Sequence, residues 1–223
     1  MPHYLGHRER LRQRFLDSPE TLPDYELLEL ALCLSQPRGD MKPLAKELMN
    51  RFGSIGAVFA APTEKLLKVK GMGSTSVSTL RLMIEMTRRG ILEDIKAAPY
   101  ALNTVEKVLD HLRLTMAHQD IEQFRILFFN RKYHLIADEV QQKGTLDQLP
   151  IYPREVLRRS LELNAGSLIL AHNHPSGDAT PSQADIQMTR HLKEVLQAAE
   201  IHILDHIVIG AHGYTSLRQM GHC

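Results

Sequence analysis

Along the first hundred residues the apolar positions recur with a helical period. In HRERLRQRFL, Leu11 and Phe15 stand four apart on a strongly basic segment, the narrow stripe of a short amphipathic helix. Asp24, following Pro23, can cap YELLELALCL, where Leu27, Leu30, Ala31 and Leu34 keep helical spacing until Pro37 and Gly39 stop it. KPLAKELMNRFG behaves in the same way and ends at Gly53. In EKLLKVKGMGSTSVSTLRLMIEMTRRG two periodic stretches flank Gly71-Met72-Gly73, with Ser74 or Thr75 available to cap the second. The pattern there predicts helix, tight turn, helix.

ILEDIKAAPYALNT interrupts this period around Pro99, and the domain boundary is placed near residue 100. Beyond it the texture changes. EQFRILFFN is rich in aromatic and β-branched residues, and HLIADEVQQKG follows Arg131-Lys132, so the two read as a hairpin. Pro153 opens a helix over PREVLRRSLELN, and the short apolar run SLILA after Gly166 has the length of a buried strand. A helix runs from Ser182 to about Ala199, followed by the strand-like IHILDHIVIG and a short pair around Tyr214. The expected fold is α/β in the α+β sense: a small all-helical domain over residues 1–100, then a mixed sheet flanked by helices over 101–223. There is no internal repeat and no low-complexity tract.

Composition narrows the picture in three places. No window approaches the twenty or so apolar residues of a membrane helix, and the beginning of the chain is too charged for a secretory signal, so a cytoplasmic protein that makes no membrane contact is expected. Two cysteines, Cys33 in an apolar run and Cys223, cannot build a disulfide framework or a cysteine zinc ribbon. The net charge of +1 argues against a surface devoted to nucleic acid, although a local basic patch remains compatible with it. Against 0 tryptophans the chain carries 12 histidines, and the question is whether any of them cluster.

They do in LILAHNHPSGDATPSQADIQMTRHL. His172 and His174 are two apart at a strand end, where alternate side chains share a face. Pro175 to Asp178 form a turn, and the helix starting at Pro181-Ser182 carries Asp185 in its first turn, returning a carboxylate toward the strand end. Two imidazoles and a carboxylate suit zinc and leave a fourth position for water. The plainer alternative is that Ser182 and Asp185 form a Ser-x-x-Asp capping box and the histidines are ordinary polar residues at a strand end. His206 beside Asp205 could touch such a site from outside, but an ordinary structural pair is the preferred reading.

The string His172-x-His174-Pro175, then six residues, then Ser182-x-x-Asp185 resembles the signature of the JAMM (JAB/MPN) metalloproteases. HNHPSGDATPSQAD, with YPREVLRRSLELNAGSLILA before it and ILDHIVIG after it, is similar to the RadC branch across residues 102–220. GHRERLRQRF, ELLELAL and the helix-hairpin-helix-like KVKGMGSTSVSTL resemble the amino-terminal part of the same proteins. The resemblance implies one Zn2+ per chain held by His172, His174 and Asp185, with Ser182 positioning water or stabilising an oxyanion. It also implies a glutamate acting as acid and base. Glu122, heading EQFRILFF, is preferred for this role, and Glu139 in the next strand competes with it. The implied reaction is metal-assisted hydrolysis of a peptide or isopeptide amide in a peptide or protein substrate. The alternative is a DNA-associated accessory protein of repair or recombination in which the zinc is structural or acts on nucleic acid. For that reading Gly71-Met72-Gly73 would present backbone N–H groups to a phosphate, flanked by Lys68 and Lys70 and extended by Arg8, Arg10, Arg12 and Arg14.

Overall fold

The computed structural model describes residues 4–101, 104–144 and 151–223. Backbone contacts divide the chain into two compact units, Met1–Thr87 and Arg88–Cys223.

In the first unit the periodic stretches become α1 (Tyr4–Asp17), α2 (Asp24–Ser35), α3 (Lys42–Phe52), α4 (Ile55–Ala60), α5 (Thr63–Leu67) and the first half of α6 (Ser74–Ala97), with a 3-10 turn at Pro19–Thr21. Their apolar stripes meet in one core that includes Leu28, Leu32, Leu48, Val58, Leu66 and Leu80, with half-buried Cys33 packed on it. The expected helix, turn, helix at Gly71-Met72-Gly73 is present as α5 and α6. Asp24 is the first residue of α2 and not its cap, and the cap position belongs to Pro23, which has no side-chain donor or acceptor. Gly53 ends α3 with φ 89°, a left-handed value that glycine adopts without a Cβ penalty.

The contact division falls inside α6, earlier than the boundary expected near residue 100. Gly90 does not end the helix, because Ile91, Leu92 and Ile95 beyond it join the core of the second unit. Burial of those side chains outweighs the ~1 kcal/mol that a mid-helix glycine costs relative to alanine. Leu102 and Asn103, part of the expected boundary segment, lie outside the described residues.

The second unit continues with α7 (Val105–Met116), β1 (Gln123–Phe129), β2 (Leu135–Lys143), α8 (Pro153–Glu162), β3 (Ser167–Asn173), α9 (Gln183–Gln197), β4 (His202–Ile209) and β5 (Tyr214–Ser216). The strands form one mixed sheet in the order β2-β1-β3-β4-β5, with β3 and β4 parallel and the other pairs antiparallel. All seven residues of the central strand β3 are buried. Its alternation divides the core: Leu168 and Leu170 pack with Val156 of α8 and Leu192 and Leu196 of α9, while Ile169 and Ala171 pack with Val108, Leu109 and Leu112 of α7. The next residue in the alternation, His172, falls on the face of α8 and α9. Among the described residues no helix is long and apolar enough to cross a membrane.

Candidate metal centre

The end of β3 is where the chain converges. After Asn173 the backbone stays tied to β4, with the amide of His174 donating to the carbonyl of Ile209 at 2.9 Å and that of Ala211 to the carbonyl of Gly177 at 3.0 Å. Gly177 has φ 86°, and a Cβ on Gly210 would stand 2.4 Å from the carbonyl oxygen of Gly177, so this close crossing of two loops requires a glycine. The turn brings the carbonyl of Asp178 to 2.8 Å from His174 Nδ1. A carbonyl can only accept, so His174 carries its proton on Nδ1 and presents the Nε2 lone pair to the other side.

That lone pair points at its neighbours. His174 Nε2 is 3.0 Å from His172 Nε2, and the Asp185 carboxylate lies 3.4 Å from His172 Nε2 through Oδ1 and 3.7 Å from His174 Nε2 through Oδ2. Glu122, just before β1, has a carboxylate oxygen within 4.8 Å of a nitrogen on each of the two imidazoles. The structure therefore brings His172, His174, Asp185 and Glu122 together at one sheet end. Glu139 is elsewhere: it sits on the edge strand β2, opposite Ile126, with its carboxylate forked onto Arg159 of α8.

Ser182 caps α9, and the capping box predicted as the plainer reading is present in full. Its Oγ accepts from the Asp185 amide at 3.1 Å and donates to Asp185 Oδ2 at 2.7 Å, and the Ser182 amide donates to the same Oδ2 at 2.7 Å. The capping box and the cluster are thus one arrangement, because the cap fixes the carboxylate that faces the imidazoles. The single proton of Ser182 is directed at Asp185, so an oxyanion role would require that bond to be given up.

Three residues carry the site that sequence reasoning missed or set aside. Asn173, buried between the two histidines, accepts from the Gln123 amide at 2.9 Å and donates to the Ile121 carbonyl at 3.3 Å. It therefore clamps the backbone on both sides of Glu122. His206 does not pair with the side chain of Asp205, because neighbours on a strand point to opposite faces. Asp205 instead accepts from the His206 amide and from Ser216 Oγ, each at 2.7 Å. The fully buried His206 ring lies 2.8 Å from His172 Nδ1 through Nε2 and 2.6 Å from Thr189 Oγ1 through Nδ1. Its signal was present in the alternation of β4, which places it beside Leu170 on the α9 face.

With no ion bound, a protonated imidazole takes the place of the cation facing Asp185, and the shifts follow from that. Burial would raise the Asp185 carboxyl, but the His172 and His174 imidazoles beside it reverse the effect and hold it well below the usual carboxylate range. Asp185 in turn raises His174, against the desolvation that lowers it. His206 is driven well below its ordinary value by complete burial. Among the described residues the ion pairs of Asp185 are those to the two imidazoles. Imidazole nitrogens and carboxylates crowded at these distances fit a divalent cation of borderline softness.

Four arginines of the first unit bond within it. Arg8 donates to the carbonyls of Gln36, Pro37 and Gly39, Arg12 pairs with Glu9, and Arg14 pairs with Glu26. Arg81 donates to the carbonyls of Phe59 and Ala61.

Residues 102–222 match the family described as the RadC-like JAB domain. Over 224 aligned residues, covering 100% of both chains, the protein is 45% identical to the UPF0758 protein SPO0054 of Ruegeria pomeroyi.

Proposed function

We propose that this chain, which belongs to the RadC family through its JAB domain, is a zinc-dependent hydrolase that cleaves a peptide or isopeptide amide. The observation that carries the reading is the convergence of two imidazole Nε2 atoms and the Asp185 carboxylate, 3.0 to 3.7 Å apart, with the Glu122 carboxylate beside them. His172, His174 and Asp185 would hold the ion. When bound, zinc supplies a Lewis acid and draws the pKa of a water in its open position toward ~7.

The protein's own groups supply the remaining chemistry. Glu122 stands close enough to the imidazoles to take a proton from the attacking water and to return it to the departing nitrogen as the C–N bond breaks. Asn173 fixes where that carboxylate starts from. Ser182 holds Asp185 Oδ2 and thereby turns Oδ1 toward His172. The nearness of Glu122 to the two imidazoles and the pairing of Glu139 with Arg159 both support giving the proton-transfer role to Glu122.

The test is metal content followed by cleavage. Purified wild type is expected to hold one zinc per chain, and His172→Ala and Asp185→Ala to hold none. Glu122→Ala is expected to keep its zinc and to lose cleavage of a peptide library that wild type processes. Wild type that holds no more zinc than the ligand variants would falsify the reading.

A further inference from the structure

The ligand distances leave open why His172, with two ring nitrogens, should offer the right one. The answer lies one and two side chains behind it. Thr189 Oγ1 is 2.6 Å from the backbone carbonyl of Asp185, one helical turn earlier on α9. A carbonyl has no proton to give, so the hydroxyl proton lies there. The same Oγ1 is 2.6 Å from His206 Nδ1 and has no second proton, so His206 must donate from Nδ1. His206 is fully buried and bonds through its two ring nitrogens to groups without formal negative charge, so it carries one N–H, and its Nε2 is an acceptor. His172 Nδ1, 2.8 Å away, then has to be the donor. Every link runs in one direction, from His172 through His206 and Thr189 to a carbonyl whose acceptor role cannot change. The consequence is that the His172 lone pair sits on Nε2, facing His174 and Asp185.

We propose that His206 and Thr189 are positioning residues that fix the tautomer of His172 and so set how tightly the centre binds its ion. The inference rests on the reading of the cluster as a zinc site and deepens it. Asp185 enters twice, by its carboxylate at the cluster and by its backbone carbonyl as the end of the relay. The unit β3-α9-β4 is therefore wired as one piece.

Thr189→Val keeps the shape of the side chain and removes the acceptor for His206 Nδ1. The His206 proton is then released to Nε2, where it opposes the Nδ1 proton of His172 and pushes His172 toward the tautomer whose Nε2 cannot bind metal. Thr189→Ser keeps the hydroxyl. Zinc affinity of the full chain, measured by competition with a chromophoric chelator, is expected to fall by about tenfold or more in the valine variant, as outer-shell losses commonly do, and to stay near wild type in the serine variant. The Co2+-substituted protein should show altered visible d–d bands in the valine variant alone. His206→Gln, which offers an acceptor toward His172, should bind more tightly than His206→Leu. Thermal unfolding of the metal-free proteins reads packing separately. If the valine variant does not fold, Thr189→Ala against Thr189→Ser asks the same question. Wild type that takes up zinc while the valine and serine variants bind alike overturns the relay and leaves the zinc site standing. Wild type that takes up none overturns both.

Discussion

Two buried clusters of histidine and aspartate lie on opposite faces of one sheet. On the α7 face, His111 Nε2 is 2.9 Å from Asp138 Oδ2, and Arg125 Nη1 is 2.6 and 2.7 Å from the two oxygens of the same carboxylate. On the α9 face, Asp185 meets two imidazoles and has Glu122 near them. The first cluster contains its own cation. The second gathers lone pairs and carboxylates around a point where a cation is needed. A buried carboxylate that carries its counter-ion explains itself as structure, whereas one held by Ser182 on one side and turned toward imidazole nitrogens on the other is what the proposed ion would complete. Residue type alone does not separate them, since both are His and Asp in the same unit.

The largest expected effect tests the structural half. Arg125→Met leaves Asp138 buried without its permanent cation, and urea unfolding should show a loss of about 3 to 5 kcal/mol, the usual cost of breaking a buried ion pair from one side. Zinc uptake should not change. A stability loss below about 1 kcal/mol would mean that water reaches Asp138 and that the two clusters are less different than their geometry implies.

Next comes linkage at the other cluster. Ligand that binds only the folded state stabilises it by about 2.7 kcal/mol at a free concentration a hundredfold above Kd. Added zinc should raise the unfolding free energy of wild type and of Arg125→Met by that amount, and leave His172→Ala unmoved. A smaller effect separates the clusters by pH. Burial pushes the Asp138 carboxyl up, but His111 and Arg125 more than reverse this and hold it below its ordinary 3.8. A carboxyl depressed in the folded state contributes stability that is present above its unfolded pKa and is lost as pH falls below 3.8 and through the folded value. Metal-free wild type should therefore lose stability more steeply below that pH than Asp138→Asn. Parallel curves would assign the acid sensitivity to other groups.

Much of this was legible because local rules and fold agree. His172 and His174 two apart, the turn from Pro175, and Ser182-x-x-Asp185 each have a local cause, and together they determine where a carboxylate meets a strand end. α7 is readable in principle: Val105, Val108, Leu109, Leu112 and Met116 keep a helical period, yet it falls between the break around Pro99 and the hairpin, the two features that the pattern makes prominent. α4 is six residues long and too short to show a period. Asn173, by contrast, acts on segments fifty residues away, and a polar residue between two histidines gives no local sign of that reach. His206 was misjudged for a correctable reason. Adjacency to Asp205 was weighed above the strand alternation that keeps adjacent side chains apart. Tertiary partners of buried polar groups are the part that a single sequence conceals, and here they make up the second layer of the site.

The smallest effect concerns Ser182, which belongs to both halves of the comparison, since it stabilises α9 and orients Asp185. Ser182→Ala removes the hydroxyl that accepts from the Asp185 amide, and loss of such a cap costs about 1 kcal/mol. It also removes one of the two donors to Asp185 Oδ2. The other, the Ser182 backbone amide at 2.7 Å, survives in any residue except proline. With one of its two holds intact the carboxylate should keep most of its orientation, so zinc affinity should drop by less than in Thr189→Val, which disturbs the tautomer of a ligand. Ser182→Thr should restore both properties. If Ser182→Ala instead weakens zinc more than Thr189→Val while stability barely moves, the hydroxyl governs the centre directly, and the helix cap is the lesser of its two roles.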